Sequence, residues 1–122
     1  MLLAVVAALA VQFPVGRLGD LGRRDGKLAT EHSAQAFDSV TWRGGDRAAR
    51  GRMLADLARR YRFERGQAET VDRLLGPRDC TAAFADEPCY SLELGGKPYD
   101  LQFLLKHSGN VGEVTDMRLV PR

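Results

Sequence analysis

CYSLELGGKPYDLQFLLK, residues 89–106, alternates side-chain character on both sides of a Gly-Gly pair. Tyr90, Leu92 and Leu94 fall on one face, and Cys89, Ser91 and Glu93 on the other. After Gly95-Gly96-Lys97-Pro98, Tyr99, Leu101, Phe103 and Leu105 alternate with Asp100, Gln102, Leu104 and Lys106. A period of two belongs to a strand, and two such runs joined by a short Gly-rich turn make a hairpin. His107-Ser108-Gly109-Asn110 gives a second turn, and Val111–Val120 supplies a last strand with Met117 and Leu119 on one face and Val114 and Val120 on the other. Turns this short connect only antiparallel neighbours.

Upstream the period becomes helical. DRAARGRMLADLARRYRF opens on Asp46, a good N-cap, and places Met53, Leu54, Leu57, Ala58 and Tyr61 on one stripe. The opposite face carries Arg52, Arg59 and Arg62, with Arg47, Arg50 and Arg60 flanking it. They read first as solvated charges, and alternatively as an interface to an acidic partner or to anionic lipid. A second helix runs from about Gln67 to Leu75, with Ala68, Val71, Leu74 and Leu75 on one face. Gly76 suits its left-handed end and Pro77 stops it. Trp42, the one tryptophan, is expected to pack a corner of the core with Phe37, the alternative being an interface anchor.

The fold class that follows is α+β: an N-terminal apolar helix, then two helices packed on a three- to four-stranded antiparallel sheet. Residues 1–16, MLLAVVAALAVQFPVG, carry no charge. Leu2, Leu3, Val5, Val6, Leu9, Val11 and Phe13 would anchor in a lipid bilayer. As a helix of about 1.5 Å per residue the segment reaches about 24 Å, against a bilayer core of about 30 Å. A buried helix of the domain and a signal with its true start upstream are the alternatives. Residues 17–36, where glycines and charges recur without a period, read as a linker, and residues 37–122 as the folded domain.

At 122 residues with net charge +2, the chain has room for one core and too mild a charge to announce a nucleic-acid binder. The charge is uneven: residues 17–65 hold 12 basic and 7 acidic side chains, and residues 66–122 hold 6 and 9. The tracts RGGD and LGGKP lack the spacing and the Lys-Ser/Thr ending of a phosphate loop, so no nucleotide is expected. Ser91, Asp100 and His107 can be written as a hydrolytic triad, yet no nucleophile elbow or oxyanion hole accompanies them. Cys80 and Cys89 are the only cysteines. A disulfide between them suits an oxidising compartment and two reduced structural thiols a cytoplasmic one. A zinc site is disfavoured, because only His32 and His107 offer themselves as further ligands and without paired spacing. No cofactor and no catalytic residue is expected.

The order of helix, short second helix, LLGP, then an aromatic-bearing hairpin with a Gly-Asn turn resembles the SmpA/OmlA (BamE-like) small domain, over residues 38–122. The positions that carry it are Gly66, Val71, Leu74, Leu75, Gly76, Pro77, Tyr90, Leu101, Phe103 and Val111, with Trp42, Arg50, Met53, Asp56 and Leu57 upstream. The chain lacks the residue that usually separates Leu-Gly from Pro, and no lipobox cysteine follows the apolar segment. Inhibitor proteins of β-lactamase share a similar layout. The resemblance implies an exported, non-enzymatic accessory or assembly subunit that docks on a larger membrane or envelope protein complex, on the periplasmic side. Basic residues just after the apolar run instead favour a cytoplasmic domain, and an exported soluble inhibitor or binding protein is the alternative function, with a thiol-dependent enzyme using Cys80 or Cys89 ranked behind it.

Overall fold

The computed structural model describes residues 18–82, 84, 86–108 and 111–122. The apolar segment 1–16 lies outside them, and among the described residues no helix is long and apolar enough to cross a membrane. Among the described residues four helices, α1 (Arg23–His32), α2 (Ser39–Arg43), α3 (Arg47–Arg60) and α4 (Ala68–Leu75), precede three strands, β1 (Cys89–Leu94), β2 (Lys97–Ser108) and β3 (Val111–Pro121). The strands form one antiparallel sheet in the order β1-β2-β3. The α+β class and the antiparallel sheet follow the sequence reading, while the two expected helices are joined by two more, at Arg23–His32 and Ser39–Arg43, and Lys97 and Pro98, read as turn, already belong to the second strand.

The β1–β2 turn is two residues long, because Leu94 pairs with Lys97. Gly95 and Gly96 both have positive φ, 58° and 77°, the backbone that matches strand twist and that glycine adopts at little cost. The core face carries Tyr90, Leu92, Leu94, Leu101, Phe103, Met117 and Leu119, all buried. Val114 is a correction. Strict alternation puts it on the opposite face, but the ladder slips between Leu104 and Leu105, which pair with Asp116 and Val114. The extra residue, Thr115, reverses the alternation, so Val114 joins the core.

Asp46 caps α3 by accepting from the Ala49 N–H at 3.1 Å. The predicted stripe of Met53, Leu54, Leu57 and Ala58 is buried. The helix also presses on β1 at Gly51, where a Cβ would lie 1.7 Å from the Glu93 carbonyl oxygen. Asp38 caps α2, accepting from the hydroxyl and the N–H of Thr41. Those two bonds hold its carboxyl below the usual aspartate value.

The expected linker is the second correction. Residues 23–32 form α1, and Leu18, Leu21 and Ala29 belong to the core. Asp20, fully buried, accepts from the N–H groups of Phe63 and Glu64 at 2.6 and 3.2 Å, and its carbonyl accepts from the Met117 N–H. Leu119 N–H donates to Asp25. The stretch is thus a strap along the free edge of β3, with Leu21 paired to Met117 as a parallel bridge. Its few apolar residues hid it, since most of its bonds are polar.

Arg50 is the third correction. It was placed among flanking surface arginines, but only 2% of its side chain is exposed. Its Nε donates to the Trp42 carbonyl at 2.9 Å, and its Nη1 donates to the Ser91 carbonyl at 3.0 Å and to Asp79 at 2.5 Å. Its guanidinium carbon lies 5.4 Å from the Trp42 ring centre and 5.8 Å from that of Tyr90. Asp79 also accepts from the Ser91 N–H at 2.8 Å, and its own N–H donates to the Cys89 carbonyl. Arg50 and Asp79 together close the outer edge of β1. Stranding one charge of such a pair costs about 3–5 kcal/mol, whereas replacing both costs much less. Asp79→Ala, which strands the buried Arg50 charge while Asp79 itself is partly exposed, is therefore expected to lower unfolding free energy by about that amount, and Asp79→Ala with Arg50→Met by clearly less than the sum of the single changes, in denaturant titrations.

Candidate functional site

The segment Glu69–Cys80 builds the most distinctive surface of the molecule. Val71 and Leu75 anchor α4 in the core. Gly76, at φ 82°, turns the chain back, donating its N–H to the Asp72 carbonyl at 2.8 Å. That reversal brings Arg78 onto Asp72 in a two-pronged pair, Nε to Oδ1 and Nη2 to Oδ2, both 3.0 Å, while Nη1 donates to the Asp86 carbonyl. The pair holds the guanidinium protonated even above its ordinary range. Arg43, from the end of α2, lays its aliphatic stem over Gly76 and donates to the Arg73 carbonyl. A Cβ on residue 76 would come 2.8 Å from Arg43 Cγ.

Arg43, Asp72, Arg73, Gly76, Pro77 and Arg78 line an open groove of about 570 Å³. Asp72 is spoken for by Arg78, and Arg73 makes only an exposed 3.6 Å pair with Glu69, worth about 0–1 kcal/mol. Arg43 donates to a carbonyl, so its charge is not cancelled by a carboxylate at that bond. Three guanidiniums against one carboxylate give the groove a positive lining suited to acidic side chains. A second hollow, of about 400 Å³ beside α1, mixes signs: Arg24 and Lys27 with Asp25 and Glu31, over Leu28, Tyr99, Leu119 and Pro121.

The residues singled out in the sequence divide. Arg47, Arg52, Arg59 and Arg62 are exposed. Arg52 and Arg59, seven residues apart, share a face of α3, Arg47 begins that helix and Arg62 lies beyond its end. Arg52 donates to Gln35 at 3.2 Å. Trp42 is fully buried, 6.0 Å from Phe37 and 6.1 Å from Tyr90 by ring centres, so it packs the core and anchors no interface. Ser91 and Asp100 are cross-strand partners. His107 pairs with Gly112 near the far end of β2 and meets Asp86 at 2.6 Å, which dissolves the paper triad. The groove's own arginines, Arg43, Arg73 and Arg78, were missed. Their signal was the GP reversal, which folds a residue after the helix onto one before it.

Cys80 and Cys89 are joined in a disulfide, Cα atoms 5.1 Å apart. The loop it closes is held along β2: Phe103 N–H donates to the Pro88 carbonyl at 3.0 Å and Leu105 N–H to the buried carboxylate of Glu87 at 3.2 Å. From loop length alone, reducing the bond should lower stability by about 2.5–3 kcal/mol, read as the drop in denaturation midpoint on adding a reductant.

Tyr90 stands behind the groove. Its hydroxyl donates to the Gly76 carbonyl at 2.7 Å. Burial, and then the nearby Asp72 charge, push its pKa well above the usual tyrosine value. A folded pKa raised above the unfolded one gives stability that is complete below about pH 10 and lost as pH rises through the folded value. Tyr90→Phe is expected to be less stable than the native protein at about pH 8, and the gap should narrow steadily above about pH 10 in urea titrations at each pH.

No family model, no curated protein and no solved structure matches this chain.

Proposed function

We propose that the protein is a non-enzymatic accessory or assembly subunit that docks on a larger membrane or envelope complex. The observation that carries this reading is the Arg43–Arg73–Arg78 groove, a rigidly backed, positively lined surface that suits acidic side chains of a protein partner. The best-placed polar groups elsewhere, Arg50, Asp79 and Asp20, are engaged in holding the chain together. In this reading residues 1–16 associate with lipid or with transmembrane helices of the complex, and the exposed arginines of α3 lie toward headgroups or an acidic neighbour. The body sits on the extracytoplasmic, periplasmic side. The Cys80–Cys89 bond favours that side, because disulfides persist in oxidising compartments. The resemblance to the SmpA/OmlA-like domain leads the same way.

A rival reading, an exported soluble inhibitor or binding protein, shares the disulfide and differs in losing the apolar segment, which the mass of the mature chain decides. Capture from gently solubilised membranes tests the main proposal. The intact chain should bring down a defined membrane protein, and Arg43→Glu with Arg73→Glu should abolish that capture while leaving thermal melting within a few degrees. Raising salt should weaken the contact. Recovery of the intact chain as a free monomer, or capture unaffected by the double reversal, would sink the reading.

A further inference from the structure

On the sheet face opposite the core, Cys89 of β1 and Asp100 of β2 are diagonal neighbours, with Ser91 directly across from Asp100. Cys80 reaches the same spot from the segment after α4. One ligand atom from each of Cys80, Cys89 and Asp100 lies within 4.8 Å of the others. The surroundings are dry: Cys89 and Ser91 are buried, and 15% of the Asp100 side chain is exposed. One oxygen there is unused. Ser91 Oγ is buried with no hydrogen-bond partner, while Asp100 Oδ1 lies 2.6 Å from Arg122 Nε in an ion pair. A buried hydroxyl in that condition is rare in folded chains and points to something that completes it.

We propose that the reduced form of the protein binds a soft divalent cation, zinc above all, through the thiolates of Cys80 and Cys89 and the carboxylate of Asp100. Reduction of the disulfide by a dithiol or phosphine takes up two electrons and two protons and leaves two thiols, the reductant being oxidised. The cation then displaces both thiol protons to solvent. With zinc–sulfur bonds of about 2.3 Å and zinc–oxygen bonds of about 2.1 Å, ligand atoms about 3.5–3.8 Å apart surround a tetrahedral ion. The existing cluster needs only a small opening, and Cys80, half-buried, is the side that can move. Water takes the fourth position and Ser91 Oγ supplies its hydrogen-bond partner. Arg122 competes with the cation for Asp100. Two thiolates and a carboxylate neutralise the ion with one negative charge to spare. The site extends the role of this cysteine pair beyond the oxidised state on which the docking proposal draws.

Cobalt titration of the full chain, reduced with a phosphine and kept anaerobic, tests it. A one-to-one rise of thiolate-to-cobalt charge-transfer and tetrahedral visible bands, reversed by zinc, is expected, and the oxidised protein should give none. Asp100→Asn should weaken binding by more than about a hundredfold, beyond the roughly 10–100-fold that outer-shell partners usually cost, and Asp100→Glu should keep the spectrum. Arg122→Gln should tighten binding severalfold, an effect a purely structural Asp100 would not produce. Where reduction unfolds the chain, zinc should restore the native circular dichroism spectrum. Reduced protein with no cobalt bands, Asp100→Asn binding as tightly as the native chain, or zinc failing to refold an unfolded reduced chain would overturn the proposal.

Discussion

One guanidinium holds the two halves of this fold together. Arg50 sits inside the protein with a positive charge and satisfies it on the Trp42 carbonyl, the Ser91 carbonyl and the Asp79 carboxylate. Those three groups belong to the end of α2, to β1 and to the segment leaving α4, so one side chain fixes the relative placement of elements far apart in sequence. A buried charge is costly unless every direction around it is answered. Here the rings of Trp42 and Tyr90 supply the remaining faces. Arg50 needs Trp42 where it is, and that explains why the one tryptophan is interior.

The same bonding decides what the sheet can do. Outer strands normally leave a row of free N–H and C=O groups. On β1 these are taken by Arg50 and Asp79, with Gly51 pressed on the Glu93 carbonyl. On β3, Met117 and Leu119 donate to Asp20 and Asp25, Val114 bonds to Gly66 and Arg65, and Pro121 has no N–H to offer. The two edges are closed by different devices: an ion pair on one side, a strap of backbone and carboxylates on the other.

That difference explains what was legible in the sequence. Strand alternation from Tyr90 to Leu105, the Gly95-Gly96 turn, the Asp46 cap and the Gly76 stop are local patterns with local causes, and the structure places each where the residues put it. Residues 18–32 contribute through single contacts such as Asp20 to Phe63, 43 positions away, and a polar strap has no period. Arg50 was hidden for a related reason. Within its helix it looks like its exposed neighbours Arg47 and Arg52, and only Asp79, brought near by the Gly76-Pro77 reversal, distinguishes it. Val114 changed faces because a bulge has no reliable composition. The groove was half-visible: the reversal could be read, but not that Arg43 would cross from α2 to join it.

With much of both sheet edges engaged and the core filled, the proposed contact with a partner rests on side chains rather than on strand addition. Among the described residues two large apolar side chains stand exposed, Val40 and Phe84, which is little for a greasy interface. The groove offers charge instead, mounted on a framework with little freedom to yield: Arg78 is tied to Asp72 and to the disulfide loop, and Arg43 lies against a glycine that leaves no room for a side chain. Arginines held this way lose little further entropy when they meet carboxylates, so a modest area can discriminate well among partners. An interface of that kind forms quickly and responds to salt. In the proposed docking role its specificity would trace to Gly76, because any side chain there would lift Arg43 away from the two arginines it completes.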